Sequence, residues 1–264
     1  MSVRARFKLP REHGAWAMLY VPFAVGTVVA KTVSLRQLLL LLSVTFVFIA
    51  RESLLTWWRA CNRQREDVEA RRFMIGYLAL AGLLGAPLVF FYQLYWLAAL
   101  GLGTMLLLVA NGQQAVRRKD RTIVGELMAI AGLTMTAPAA YYTSRRAFDE
   151  VALWLWLLCA FYFVSSVFYV KLRVNTINPR NEEGRKKSRL RCAAYHGFLL
   201  GALVVLVLTG SLNLFALAAF LPVIIRSFWR VARPVHRVNL RRVGWLEVIY
   251  SMVFLIFTTL TFRL

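Results

Sequence analysis

The residues of this chain whose types could do chemistry are ionisable groups set against apolar sequence. Arg51 and Glu52 follow Phe46-Val47-Phe48-Ile49-Ala50 and run directly into Ser53-Leu54-Leu55-Thr56-Trp57-Trp58. A charge with apolar residues on both sides costs several kcal/mol unless it faces a bundle interior and is paired, so it marks a functional candidate; a structural ion pair that fixes helix register is the alternative. The chain opens on Pro10-Arg11-Glu12-His13-Gly14-Ala15-Trp16 ahead of an apolar run. There Arg11, Glu12 and His13 form either a ligand-contacting triplet or an anchor, with Glu12 favoured near a helix N-terminus. Glu126 enters another apolar run early, and Glu247 is the only carboxylate of the last one, with Arg51 or Lys171 as its expected partner. Lys171 and Arg173 end a further run, where they can meet an anionic headgroup.

Asn62-Arg63-Gln64-Arg65-Glu66-Asp67-Val68-Glu69 reads as a continuation of the helix that carries Arg51, which would put Asn62 and Glu66 on one face. Carboxylates among guanidinium groups could hold Mg²⁺ and a phosphate together; a solvated charged loop is the competing reading. His13, His196 and His236 share no metal-ligand spacing, and Cys61, Cys159 and Cys192 form no C-x-x-C pair, so neither a metal triad nor a disulfide framework is supported. Gly197 and Gly201 form a G-x-x-x-G that would let a neighbouring helix approach closely.

These residues need apolar elements to hold them. The 264 residues are 59% hydrophobic and only 17% charged, with mean hydropathy +0.59, which excludes a soluble domain. Nine runs are long enough to span a bilayer: roughly 14–30, 35–57, 73–92, 94–110, 125–142, 151–170, 195–209, 212–229 and 243–262. They lack the alternation of barrel strands, so the expected fold is all-α, one transmembrane domain over residues 1–264. Val28-Val29-Ala30 could pass as a signal-peptidase site, but the run is long and further spans follow, so cleavage is not expected.

Of the 33 Lys and Arg residues, 28 fall at the N-terminus or in the long even-numbered gaps, and 5 on the other side. The positive-inside rule then makes this a multi-pass protein of the plasma (inner) membrane with a cytoplasmic N-terminus and an outside C-terminus. A C-terminal reporter is expected outside; a cytoplasmic signal would mean that the spans are miscounted. Ten of the twelve Asp and Glu residues lie near the same cytoplasmic face, which places any chemistry there. Residues 178–191 read as a polar, mobile stretch of solvated charges. The net charge of +21 would suit nucleic acid, but it sits in gaps between spans, so the expected partners are the bilayer and an anionic amphiphile or phospholipid and not nucleic acid. Oligomeric state is left open.

The opening Arg11-Glu12-His13-Gly14-Ala15-Trp16, an apolar run with Pro22, and Arg51-Glu52-Ser53-Leu54 resemble the YwiC-like family of bacterial membrane proteins over nearly the whole chain. That resemblance implies an integral membrane protein and brings no settled activity. More distantly, nine spans with charge clusters after spans two and six are similar to UbiA-type prenyltransferases, in which aspartate-rich motifs bind Mg²⁺ and an isoprenoid diphosphate. This second resemblance implies a UbiA-like arrangement, places Asn62 and Glu66 at the first motif, and matches Arg121, in Lys119-Asp120-Arg121-Thr122, to a basic stretch between spans four and five. The pattern departs at Arg63, where an aspartate would stand, and after span six, where Lys171, Arg173 and Arg180 are accompanied only by Glu182 and Glu183. One Mg²⁺ site is thus degenerate and the second missing, although Arg and Lys can hold a phosphate directly.

Three functions follow as expectations. The first is binding of an isoprenoid diphosphate or lipid phosphate in a cytoplasmic cavity, with prenyltransferase-like transfer if the chain is catalytic. The second is secondary transport of a small anionic solute through Arg51, Glu52 and Glu247. The third is an accessory membrane subunit. Convergence of Arg51, Glu126, Lys171 and Glu247 on one cavity favours the first, and a continuous polar path to the outer face favours the second.

Overall fold

A computed structural model describes residues 13–116, 122–177, 182–233 and 240–263. Arg11, Glu12, Arg121 and His236 lie outside these residues, as does the side chain of His13. Ten helices and no strand occur among the described residues: α1 (His13–Val29), α2 (Leu35–Cys61), α3 (Val68–Phe90), α4 (Trp96–Val116), α5 (Ile123–Thr134), α6 (Thr136–Arg145), α7 (Glu150–Ile177), α8 (Glu182–Leu208), α9 (Leu214–Ala232) and α10 (Leu240–Thr261).

The ten helices make nine spans, because α5 and α6 together are the fifth. That span breaks at Met135, three residues before Pro138 of α6, which has no N–H to give the Thr134 carbonyl. The Thr136 hydroxyl ties the break to α1 by donating to the Leu19 carbonyl at 2.9 Å. Eight spans are long and apolar enough to cross a bilayer, and α1 is shorter at 17 residues, about 25 Å. Leu83, Phe90, Phe198 and Leu208 are exposed on these helices, as a lipid-facing surface requires and a water-facing one would not tolerate. The chain is a polytopic helical membrane protein.

Two boundaries differ from the sequence reading. Helix α2 stops at Cys61, since Gln64 takes a left-handed φ of 54° and Asp67 caps a new helix by accepting from the Ala70 N–H at 2.9 Å. Asn62 and Glu66 therefore share no helix face. The polar stretch before span seven is helical from Glu182 onward, with Glu182 and Glu183 at the N-terminal turn where the dipole favours anions. Gly197 and Gly201, read as a packing motif, are exposed, and a Cβ added at either would meet nothing within 4 Å. They sit on an outer face of α8.

Helix α1 lies inside the bundle, against α6, α10, α5 and α7. The approach to α6 is closest at Gly26, where a Cβ would stand 2.1 Å from the Ala137 carbonyl oxygen and 3.1 Å from the Tyr141 amide nitrogen. Backbone cannot give way as a side chain can, so Gly26→Ala is expected to destabilise by about 1–3 kcal/mol in thermal unfolding in detergent. Gly82→Ala, on an exposed face of α3 with open space around it, is the control and should be neutral or mildly stabilising. Equal melting of the Gly26 variant and the parent would disprove the tight contact. Beside α1 the main core is aromatic, with the Tyr162 ring stacked on Phe254 at 4.1 Å and Phe220 edge-on to Phe254 at 5.4 Å.

Alternation of nine spans sends the N-terminal end of α1, the C-terminal ends of α2, α4, α7 and α9, and the N-terminal ends of α3, α5, α8 and α10 to one end of the bundle. This is the end where the basic gaps lie, and it is called the basic end below. At the opposite end helices are tied by polar clasps: buried Gln37 donates to the Ala140 carbonyl at 2.7 Å and to the Ser144 hydroxyl, and Asn213 donates to the Thr261 carbonyl at 2.9 Å.

Candidate functional site

A cavity of about 1020 Å³ runs between α1, α2, α3, α4, α5, α6, α7 and α10. Its ionisable lining is Arg51, Glu126, Lys171 and Glu247, all in the turns near the basic end. Away from that end the walls are apolar, for example Leu40, Val44, Leu88, Leu97 and Leu100, and only hydroxyls such as those of Ser43 and Thr104 interrupt them.

The ionic rim is built from two networks. In the first, Arg51 of α2 donates from Nη1 to Glu52 Oε1 at 3.0 Å and from Nη2 to Asn111 Oδ1 at 3.2 Å. Buried Asn111, at the end of α4, donates in turn to the Gly125 carbonyl in the first turn of α5 at 2.6 Å. The next residue, Glu126, pairs with Lys171 Nζ of α7 at 2.9 Å. Four helices are thereby joined by one polar chain whose two cations face the cavity. Thr122 starts α5 by accepting from the Gly125 N–H, which sets the register of Gly125 and Glu126.

The second network centres on Glu247 of α10. One carboxylate oxygen accepts from Arg226 Nη1 of α9 at 2.5 Å, the other from the Ser166 hydroxyl of α7 at 2.7 Å. The Arg226 guanidinium lies 3.8 Å from the Tyr169 ring centroid and 4.5 Å from that of Tyr250, and its side chain is 8% exposed. Two aromatic faces and one carboxylate thus hold a buried cation. The expected pairing of Glu247 with Arg51 or Lys171 is corrected: those cations are engaged by Glu52 and Glu126, and Arg226 reaches Glu247 from the adjacent helix.

Of the residues picked out from sequence, Arg51, Glu126, Lys171 and Glu247 meet at one cavity, with Glu52 behind Arg51. Arg173 is not among the cavity-lining residues, and neither are Asn62 and Glu66. Asn62 caps α2, and Glu66 makes an exposed pair with Arg71 at 3.0 Å. No group of three or more His, Cys, Asp or Glu side chains able to hold a metal occurs among the described residues. His196 is buried at the α7–α8 contact, its Nδ1 against the Cys192 carbonyl at 2.7 Å and its Nε2 against Ser165 Oγ at 2.9 Å.

Sequence reading missed Asn111, Ser166 and Arg226. Arg226 carries the signal used for Arg51, since it stands in Val223-Ile224-Ile225-Arg226-Ser227-Phe228-Trp229, and counting it with the basic flank of a gap hid it. Asn111 was placed beyond the end of its span, whereas α4 continues to Val116. Ser166 carries no signal in sequence.

Comparison with known proteins places these residues in a family context. A protein of Haemophilus influenzae, itself described as uncharacterized, is 27% identical over 251 residues, 94% of this chain and 95% of the relative. No solved structure matches the chain. The family model for YwiC-like proteins matches residues 9–141, a stretch that contains Arg51, Asn111 and Glu126 of the rim. Half of the chain, from before α1 into α6, carries that pattern, and the chain belongs to the YwiC-like protein family.

Proposed function

We propose that this YwiC-like protein binds an anionic amphiphile, such as an isoprenoid diphosphate or a lipid phosphate, with its headgroup at the ionic rim and its chain along the apolar walls. The observation that carries the reading is the convergence of Arg51, Glu126, Lys171 and Glu247 on one cavity whose remaining depth is apolar. A headgroup with phosphate oxygens suits Arg51 as a bidentate donor and Lys171 as a point charge, while the apolar depth suits acyl or isoprenoid carbons. Transport of a small polar anion would need polar lining toward the opposite end, where Leu40, Leu88 and Leu97 stand instead. With the 28 to 5 distribution of basic residues, the rim opens toward the cytoplasmic leaflet of the plasma membrane.

The rim cations are engaged before a ligand arrives, so binding is an exchange of carboxylates for phosphate oxygens. Glu52 and Glu126 hold Arg51 and Lys171 in place, and a headgroup with more negative charge than one carboxylate displaces them. The residues do not fit the Mg²⁺ site of a prenyltransferase: Asn62 and Glu66 stand away from the cavity, and the cavity carboxylates each have a basic partner. Native mass spectrometry of the purified protein is expected to retain a phosphate-bearing amphiphile, and its retention should survive a chelator. Loss of all bound amphiphile in chelator would favour metal-dependent binding, and flux of a small anion through protein-containing vesicles would replace this reading with transport.

A further inference from the structure

Helix α7 carries a second cation, Arg173, that is not among the residues lining the cavity. Arg173 stands two residues beyond Lys171, about 200° around the helix, and is only 6% exposed. Tyr169, one turn earlier on the same face, packs its ring on Arg226 of α9. Arg230, one turn further along α9, lies within electrostatic range of Arg173. Two guanidinium groups thus face each other's fields between α7 and α9. None of the ion pairs among the described residues includes either of them. Arg173 Nε is buried and has no acceptor among the described residues.

Helix C-termini are the obvious internal compensation, since both arginines sit near the ends of α7 and α9. That compensation is too small: a helix C-terminus offers only about half an elementary negative charge, whereas a guanidinium largely withdrawn from water needs a full counter-charge. The Val231 carbonyl, at the end of α9, accepts from Arg189 Nη2 at 2.7 Å. No carboxylate among the described residues pairs with either guanidinium, and an anion from outside the chain would supply that charge. Phosphate oxygens match the guanidinium fork better than any neutral acceptor.

We propose that Arg173, with Arg230, forms a phosphate-binding site on the α7–α9 flank of the basic end, separate from the cavity and filled by an anionic lipid headgroup or by free phosphate. The site goes beyond amphiphile binding in the cavity, because neither Arg173 nor Arg230 is among the cavity-lining residues.

The test is thermal unfolding of lipid-depleted, full-length protein in detergent, titrated separately with dioctanoyl phosphatidylglycerol, inorganic phosphate and dioctanoylglycerol. Phosphatidylglycerol is expected to raise the melting temperature saturably, and Arg173→Gln to weaken the response by about tenfold or more. Arg230→Gln, at a half-buried position, should weaken it as well and serves if the first variant does not fold. The Arg51→Gln/Lys171→Gln double variant should keep this component, which separates it from the cavity. If inorganic phosphate reproduces the shift, the natural occupant is free phosphate; if only phosphatidylglycerol does, it is a lipid headgroup. Arg173→Leu, measured with neither present, should melt at or above the parent temperature, because an uncompensated charge has been removed. An undiminished response in Arg173→Gln, an equal response to dioctanoylglycerol, or a lower melting temperature of lipid-free Arg173→Leu would overturn the proposal.

Discussion

Glu247→Ala is expected to lower stability by about 3–5 kcal/mol, the cost of leaving a buried cation without its carboxylate. Arg226 is held from three sides, by Glu247 Oε1, the Tyr169 ring and the Tyr250 ring, and its side chain is 8% exposed. Its Nε and Nη2 are buried without acceptors among the described residues, so Glu247 is its only counter-charge there. The two rings are worth about 0.5–2 kcal/mol and cannot replace it. Glu247→Gln should lie between parent and Ala, because an amide oxygen still accepts from Arg226. Glu247→Ala with Arg226→Met should recover most of the loss, since the double change removes the stranded charge along with its partner. Thermal unfolding in detergent reads all of these. A Glu247→Ala protein as stable as the parent would show that water or lipid compensates Arg226.

Arg51→Ala is expected to weaken binding of a phosphate-bearing amphiphile by about 1.5–3 kcal/mol, and Arg51→Lys to recover only part of it, because a single ammonium cannot reproduce the fork. Fold stability should change much less. The side chains of Arg51 and Glu52 are 25% and 33% exposed, and those of Lys171 and Glu126 are 28% and 29%, so each pair contributes no more than about 1 kcal/mol. That contrast with the Arg226–Glu247 pair separates a binding rim from a structural anchor. The carboxylates test the sign of the ligand: Glu126→Gln releases Lys171 and should tighten an anionic headgroup severalfold in a lipid-binding titration. Weaker binding in Glu126→Gln would mean that the carboxylate itself meets the ligand and that the headgroup is cationic or zwitterionic. Unchanged binding in both Arg51→Ala and Lys171→Ala would remove the rim from the site altogether.

The membrane class and the span count were legible from residue types alone, because a bilayer imposes a one-dimensional rule: about 20 apolar residues in series make a spanning helix. Charges inside those runs were legible for the same reason, as they are costly wherever the chain carries them. Arg51, Glu126, Lys171 and Glu247 were found by that rule, and Arg226 fell to it only when its flanks were read as span and not as gap. Helix ends were harder. Cys61 to Asp67 is helical by composition, yet the left-handed turn at Gln64 and the cap at Asp67 stop one helix and begin another.

Pairing could not be read from the chain. Glu247 had several basic residues within a plausible reach in sequence, and which one it meets depends on which helices adjoin and at what rotation. Packing of α9 beside α10 brings Arg226, 21 residues away, to Glu247, while the packing of α5 on α7 gives Lys171 to Glu126. The same packing brings Lys171 to the cavity lining and leaves Arg173, two residues on, outside it and beside α9. The sequence by itself determined a nine-span helical membrane protein with costly charges gathered near one end, since burial in lipid is decided residue by residue. Only the tertiary structure decided which charges neutralise each other and which face the cavity, since electrostatic energy depends on distances across helices that no local pattern encodes.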